Sequence, residues 1–228
     1  VCHSKGIVEC LDRTEVGIKE YAKEVTKYVT VPAFARKMRA KMEDKFKGLL
    51  EYSNSTSLNF VEWNGKSIGI IASGACYSYA KEVFGDTASY LKLGFTNPLP
   101  TEKIKEFASR VEKLYVIEEN DPYIEDQVRI LGFECNGKNL FPAFGEMTPD
   151  IIRKFVYGKV NDTIEYAKDR VVPRPPTLCA GCPHRGFFHQ LAKIKNVMVS
   201  GDIGCYTLAF DQPYNSIDTT VCMGASFS

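Results

Sequence analysis

Two short segments near the end of the chain have the residue types and spacing to do chemistry. Cys179-Ala180-Gly181-Cys182-Pro183-His184-Arg185 holds a Cys-x-x-Cys pair, and Gly201-Asp202-Ile203-Gly204-Cys205-Tyr206-Thr207 holds a third cysteine inside a glycine turn. Two closely held thiolates suit soft metals, either zinc or the iron of a cluster. The second segment follows the apolar run Asn196-Val197-Met198-Val199-Ser200. It therefore reads as the end of a parallel strand, where glycines let backbone N–H groups approach a phosphate. Together the two segments predict a phosphate-bearing cofactor beside a thiolate metal site. Taken alone, Cys179 and Cys182 read as half of a structural zinc site. The completion differs from that of zinc, because Cys205 and Cys222 stand singly rather than as a second pair. A glycine turn by itself is equally a plain strand-to-helix connection. His184 lies at the start of a helix expected over 187–193, where its ring faces a cofactor or caps the turn. His189, one turn later, is assigned to structure, and Cys10, Cys135 and Cys222 to packing.

The elements that must position these residues are legible upstream. From residue 67, short apolar runs alternate with helical patterns: 67–73 then 77–84, 90–93 then 102–111, and 114–118 then 122–131. This is the rhythm of a parallel sheet covered by helices. Thr101, Asp121 and Thr148 each precede a proline or acid suited to a first helical turn, and are expected to cap it. Residues 32–52 read as a helix whose Phe34, Met38, Met42, Phe46 and Leu49 form a core-packing stripe. Ser53-Asn54-Ser55-Thr56-Ser57 reads as a polar loop. Glu118-Glu119-Asn120-Asp121 closes a strand, where acids solvate or cap the next helix, and Cys76 and Tyr77 line a cleft at a similar edge. Val172-Pro173-Arg174-Pro175-Pro176 is an extended linker that neither a helix nor a central strand can contain.

Composition narrows the classes. With 228 residues and 44% hydrophobic content the chain suits one or two domains. The 29 basic and 28 acidic residues nearly cancel, which argues against a nucleic-acid partner. The longest uncharged stretch, 67–80, is too short and too polar to span a membrane. Eight cysteines in a chain of this length, with a Cys-x-x-Cys among alternating strands and helices, point to a reduced, cytoplasmic compartment.

The cysteine motif, the Gly-Asp-Ile-Gly-Cys-Tyr turn and Asp218-Thr219-Thr220-Val221-Cys222-Met223-Gly224-Ala225-Ser226 resemble the thiamine pyrophosphate domain of indolepyruvate:ferredoxin oxidoreductase alpha subunits. Ile70-Ile71-Ala72-Ser73-Gly74, Leu91-Lys92-Leu93-Gly94-Phe95-Thr96-Asn97-Pro98-Leu99-Pro100 and Val116-Ile117-Glu118-Glu119-Asn120-Asp121-Pro122-Tyr123 resemble the middle domain of the same subunits, in the same order.

The resemblance implies an α/β fold in four parts. Residues 1–66 are the tail of a pyrimidine-binding-type domain, 67–171 a Rossmann-like, transketolase C-terminal-like domain, 172–177 a linker, and 178–228 the start of a thiamine pyrophosphate-binding α/β domain. It assigns Asp202, Ile203, Gly204, Cys205, Tyr206, Met223 and Gly224 to the thiamine pyrophosphate site, with His184 beside them. It assigns Cys179, Cys182 and Cys205 to a [4Fe-4S] cluster. Cys2-His3-Ser4 resembles a segment near the substrate pocket.

The implied reaction is oxidative decarboxylation of arylpyruvates to aryl-acyl-CoA and carbon dioxide, with ferredoxin as electron acceptor and a beta subunit as partner. The magnesium-binding motif of the family follows the Met-Gly-Ala-Ser segment. The stretch in hand is therefore expected to be inactive alone, and no catalytic acid or base is named. A pyruvate- or 2-oxoglutarate-specific relative, or a non-catalytic α/β module with a structural zinc, are the competing readings. The linker assignment predicts that limited proteolysis cuts first within 172–177; early cleavage between Leu91 and Glu119 would contradict the alternating reading.

Overall fold

In a computed structural model, which describes residues 9–160, 172 and 175–224, the chain divides into two compact units, Val1–Asp162 and Thr163–Ser228. Cys2-His3-Ser4, Pro173-Arg174, residues 161–171 and Ala225-Ser226 lie outside the described residues.

The first unit is an α/β structure. After a short helix α1 (Val25–Tyr28) comes α2 (Pro32–Ser55), then β1 (Phe60–Glu62), β2 (Ile68–Ser73), α3 (Gly74–Phe84) and β3 (Ser89–Leu93). It continues with α4 (Thr101–Ala108), β4 (Lys113–Ile117), α5 (Tyr123–Ile130) and α6 (Pro149–Tyr157). The strand order is β1-β3-β2-β4, with β2 parallel to both β3 and β4 and β1 antiparallel to β3. Successive side chains of a strand point to opposite faces, and the two cores follow that alternation. Ile70, Ala72, Tyr90, Tyr115 and Ile117 pack with α3 and α6 on one face. Ile71, Leu91, Leu93, Leu114 and Val116 pack with α4 and α5 on the other. Strands buried on both faces explain the near-continuous apolar runs seen in the sequence. The Rossmann-like expectation for this region holds, and the sheet starts earlier than residue 67, at β1.

Helix starts depart from the local reading. Thr148 does cap α6, accepting from the N–H of Ile151 at 3.2 Å. The side chains of Thr101 and Asp121 cap nothing; at α4 a distant acceptor takes the place of Thr101, and at α5 Glu118, one of the strand-closing acids expected to cap the next helix, takes that of Asp121. Asn54 Oδ1, at the end of α2, accepts from the N–H of Glu102 at 3.0 Å. Glu118 accepts from the N–H groups of Ile124 and Glu125 at 2.8 and 2.9 Å.

The expected polar loop at 53–57 is likewise structural. Ser53 and Asn59 are fully buried. Ser53 Oγ donates to Pro98 O at 2.7 Å, and Asn59 donates to Phe95 O at 2.9 Å while accepting from the N–H groups of Gly94 and Phe95. With donors and acceptor all used, this buried amide fastens the end of β3 to α2 with no unsatisfied group. The stripe on α2 does not form a core: Met42 and Phe46 are each 40% exposed, and only Ser53 of that helix is buried.

The second unit holds α7 (Pro183–Leu191), β5 (Ser200–Gly201), a 3-10 turn over Cys205–Phe210 and β6 (Thr219–Thr220). β5 and β6 are parallel, pairing Ser200 with Thr219 and Gly201 with Thr220. A small core of Leu178, Phe188 and Ala209, with Leu191, Tyr206, Tyr214 and Ile217 against it, supports them. Gly201 is buried, and a Cβ there would stand 3.1 Å from Ile217 Cδ1. Among the described residues no helix is long and apolar enough to cross a membrane.

Burial raises the Glu118 carboxyl above its ordinary value of 4.5, and the two N–H bonds only partly offset this. A carboxyl whose folded value is raised contributes its full stability below the unfolded value, and loses it as pH rises through the folded one. The stability of the native protein relative to Glu118→Gln is therefore expected to fall as pH rises above 4.5. Glu118→Ala, which leaves the α5 donors uncapped, should cost about 1–2 kcal/mol near neutral pH. Urea unfolding of the three forms across this range checks both, and a pH-independent difference between native and Gln forms would contradict the burial argument.

Candidate functional site

Parallel pairing of β5 with β6 puts the carboxyl ends of both strands at one edge, where open α/β sheets place their ligands. Asp202 to Tyr206 leave β5 there, and Val221 to Gly224 leave β6 at the same edge. Two sequence-predicted segments separated by more than a dozen residues thus share one edge. Ile203, Gly204, Cys205, Met223 and Gly224 are exposed on it, and Asp202 and Tyr206 half-buried.

The turn is internally tied. Gly204 N–H donates to Thr207 Oγ1 at 3.1 Å, Thr207 Oγ1 donates to Asp202 O, and Thr207 N–H donates to Gly204 O at 3.0 Å. Thr207 therefore ties the loop through both the N–H and the carbonyl of Gly204, and residues 203–205 are exposed. Gly204 has φ 163°, an extended conformation open to any residue, so its requirement for glycine is one of space. A Cβ there would meet the Tyr206 ring, 2.7 Å from Cζ and 3.0 Å from Oη.

His184 is half-buried on the first turn of α7. Its Nδ1 lies 3.2 Å from Cys182 Sγ, its ring stacks on Phe188 at 6.4 Å, and the Tyr206 ring meets it edge-on at 5.9 Å. The Cys-x-x-Cys forms a tight turn, with Cys182 N–H donating to Cys179 O at 3.2 Å, and Arg185 Nη1 donates to the carbonyls of Leu178 and Cys179. These contacts bring His184, Cys182 and Tyr206 together.

The donor chemistry of Cys179, Cys182 and Cys205 suits a soft metal. The geometry does not assemble it: among the described residues no group of three or more His, Cys, Asp or Glu side chains is gathered to hold a metal ion. Cys179 and Cys205 are exposed free thiols, and Cys182 is turned to His184. Cys10 and Cys222, expected as packing residues, are exposed, whereas Cys135 is buried as expected.

The first unit carries its own crevice of about 300 Å³ at the carboxyl edge of the sheet, lined by Ser73, Gly74, Cys76, Thr96, Glu118 and Tyr123 among others. Cys76 lines it. Tyr77 instead donates its hydroxyl to Glu62 at 3.2 Å.

No protein-family model matches the chain. It is 32% identical to indolepyruvate oxidoreductase subunit IorA of Archaeoglobus fulgidus, over 98% of this chain and 40% of that protein. Identity is 34% to the subunit of Thermococcus kodakarensis, over 91% of this chain and 36% of that protein. It is 35% to that of Methanothermobacter thermautotrophicus, over 99% and 41%. The chain belongs to the family of these IorA subunits, and spans about two fifths of the length of the curated relatives it matches. Among solved structures, a 2-oxoglutarate:ferredoxin oxidoreductase from Magnetococcus marinus is similar at TM-score 0.42 and 19% identity, covering 54% of this chain and 23% of that one. That likeness is too slight to carry an argument.

Thiol reactivity separates the cysteines. Burial pushes Cys76 and Cys135 up to about 11 from 9.0, so at pH 8 each has about a hundredfold less thiolate than an ordinary cysteine. Cys179 and Cys205 should react with a chromophoric disulfide at once, and Cys76 and Cys135 only after unfolding. Fast reaction of Cys76 in the folded protein would contradict its burial.

Proposed function

We propose that the chain is part of an oxidoreductase that decarboxylates arylpyruvates of the indolepyruvate kind to aryl-acyl-CoA and carbon dioxide, passing electrons to ferredoxin. The observation that carries the reading is the shared edge of β5 and β6, from which both segments assigned to the cofactor emerge. The kinship with IorA subunits along nearly the whole chain supports the substrate class.

Residues 178–224 would form one wall of a thiamine pyrophosphate site. Asp202, Ile203, Gly204, Cys205 and Tyr206 would line it from β5, Met223 and Gly224 from β6, and His184 would stand behind them. The chemistry that bound thiamine pyrophosphate supplies is a carbon nucleophile and an electron sink for loss of carbon dioxide from a 2-oxoacid. This chain's part would be to hold the exposed residues 203–205 at a fixed edge, the turn being tied by Thr207. Magnesium would accompany the pyrophosphate, and no ligand for it is assigned among these residues. A [4Fe-4S] cluster on Cys179, Cys182 and Cys205 does not fit their arrangement here, and no step is routed through one.

A beta subunit, ferredoxin, coenzyme A and an arylpyruvate are the partners this reading calls for. Free thiols at every described cysteine favour a reducing, cytoplasmic setting.

The intact enzyme, stripped of thiamine pyrophosphate, should lose indolepyruvate-dependent ferredoxin reduction, and regain it when the cofactor and magnesium are restored. Turnover of indolepyruvate should exceed that of pyruvate and 2-oxoglutarate at equal concentration. Preference for either small oxoacid would overturn the arylpyruvate assignment, and activity without the cofactor would overturn the site.

A further inference from the structure

Cys182, His184, Tyr206 and Gly204 form a continuous line of contacts between the Cys-x-x-Cys turn and the glycine turn. Its inner end is fixed: Phe188 is 3% exposed, and the His184 ring stacks on it with an interplanar angle of 22°. Stacking on Phe188 sets the plane of the imidazole, and Cys182 Sγ lies 3.2 Å from its Nδ1 as a further neighbour. Tyr206 stands edge-on to that ring at 61°, a favourable aromatic arrangement. Its own ring fills the space a side chain on residue 204 would need, with Cζ, Oη and Cε1 at 2.7, 3.0 and 3.1 Å from that missing Cβ. The Tyr206 ring therefore lies against the Gly204 backbone, and a larger residue at 204 must move Tyr206.

We propose that His184 is a positioning residue: it acts on the cofactor turn through Tyr206 and not by touching the cofactor. Resting on the cofactor reading above, this role makes the shape of residues 202–206 depend on a flat ring at 184 rather than on its nitrogens. An aliphatic gap there lets Tyr206 relax inward and the turn with it. Phenylalanine, flat and of similar size, keeps the stop in place.

Titration calorimetry of thiamine pyrophosphate with magnesium on the intact protein reads the first consequence. His184→Ala should weaken affinity about tenfold, the scale of one lost aromatic contact, while His184→Phe should stay within about twofold of the native value. Equal losses in the two variants would show that a ring nitrogen matters directly, and would overturn the proposal. The second consequence needs no cofactor. Gly204→Ala should lower the thermal midpoint in the native background, and lower it much less in a Tyr206→Leu background, because the clash is with the ring. Additive effects would overturn the contact line. If the native protein fails to bind thiamine pyrophosphate, the cofactor reading falls, and the thermal cycle still decides whether Tyr206 and Gly204 are coupled.

Discussion

Parallel strand pairing is the constraint on which the rest depends. Parallel neighbours cannot be joined by a tight turn, so the chain must leave one strand, cross over and return. Residues far apart in sequence then meet at the carboxyl edge. In the first unit β2 pairs in parallel with β3 on one side and β4 on the other, and the segments after these strands line one crevice. In the second unit only two residues of each strand pair, yet that short ladder brings Asp202–Tyr206 and Met223–Gly224 to one edge. The chemistry assigned to the second unit is a consequence of this direction more than of any single side chain.

A second layer of organisation comes from buried and half-buried polar side chains that bond backbone groups outside their own element. Asn59 ties β1's approach to the end of β3. Asn54 and Glu118 cap helices that begin far from them or across a turn. Each satisfies backbone donors that would otherwise be orphaned at the starts of α4 and α5. The buried ones, Asn59 and Glu118, cost more to remove than their net bond strength, since removal leaves a desolvated partner.

These same bridges mark where the sequence could be read and where it could not. The alternation of strands and helices from residue 67 to 131 was legible because apolar runs buried on both faces are long and punctuated by turn residues. The glycine turn and its neighbour Met223-Gly224 were recognisable as motifs. Glu118 was legible as one of the strand-closing acids that cap the next helix, whereas Asn54 was not recognisable as a cap, because a cap supplied from far along the chain leaves no local pattern. Asn54 and Ser53 looked like loop residues for the same reason. β1 was missed because three residues at a sheet edge, Phe60–Glu62, carry no period. The α2 stripe had the spacing of a buried face, and periodicity alone cannot say whether anything packs against it; Met42 and Phe46 stand well exposed. Cysteine type likewise did not separate Cys135, which is buried, from Cys10 and Cys222, which are not.

The central claim is that the cofactor lies at the shared edge of β5 and β6. Amide hydrogen exchange of the intact protein, with and without thiamine pyrophosphate and magnesium, tests it residue by residue. The account predicts slowed exchange at Ile203 to Tyr206 and at Met223 and Gly224, with Ser73 to Cys76 and Glu118 to Ile124 unchanged. Protection confined to the latter two stretches, with residues 203–206 unaffected, would contradict it.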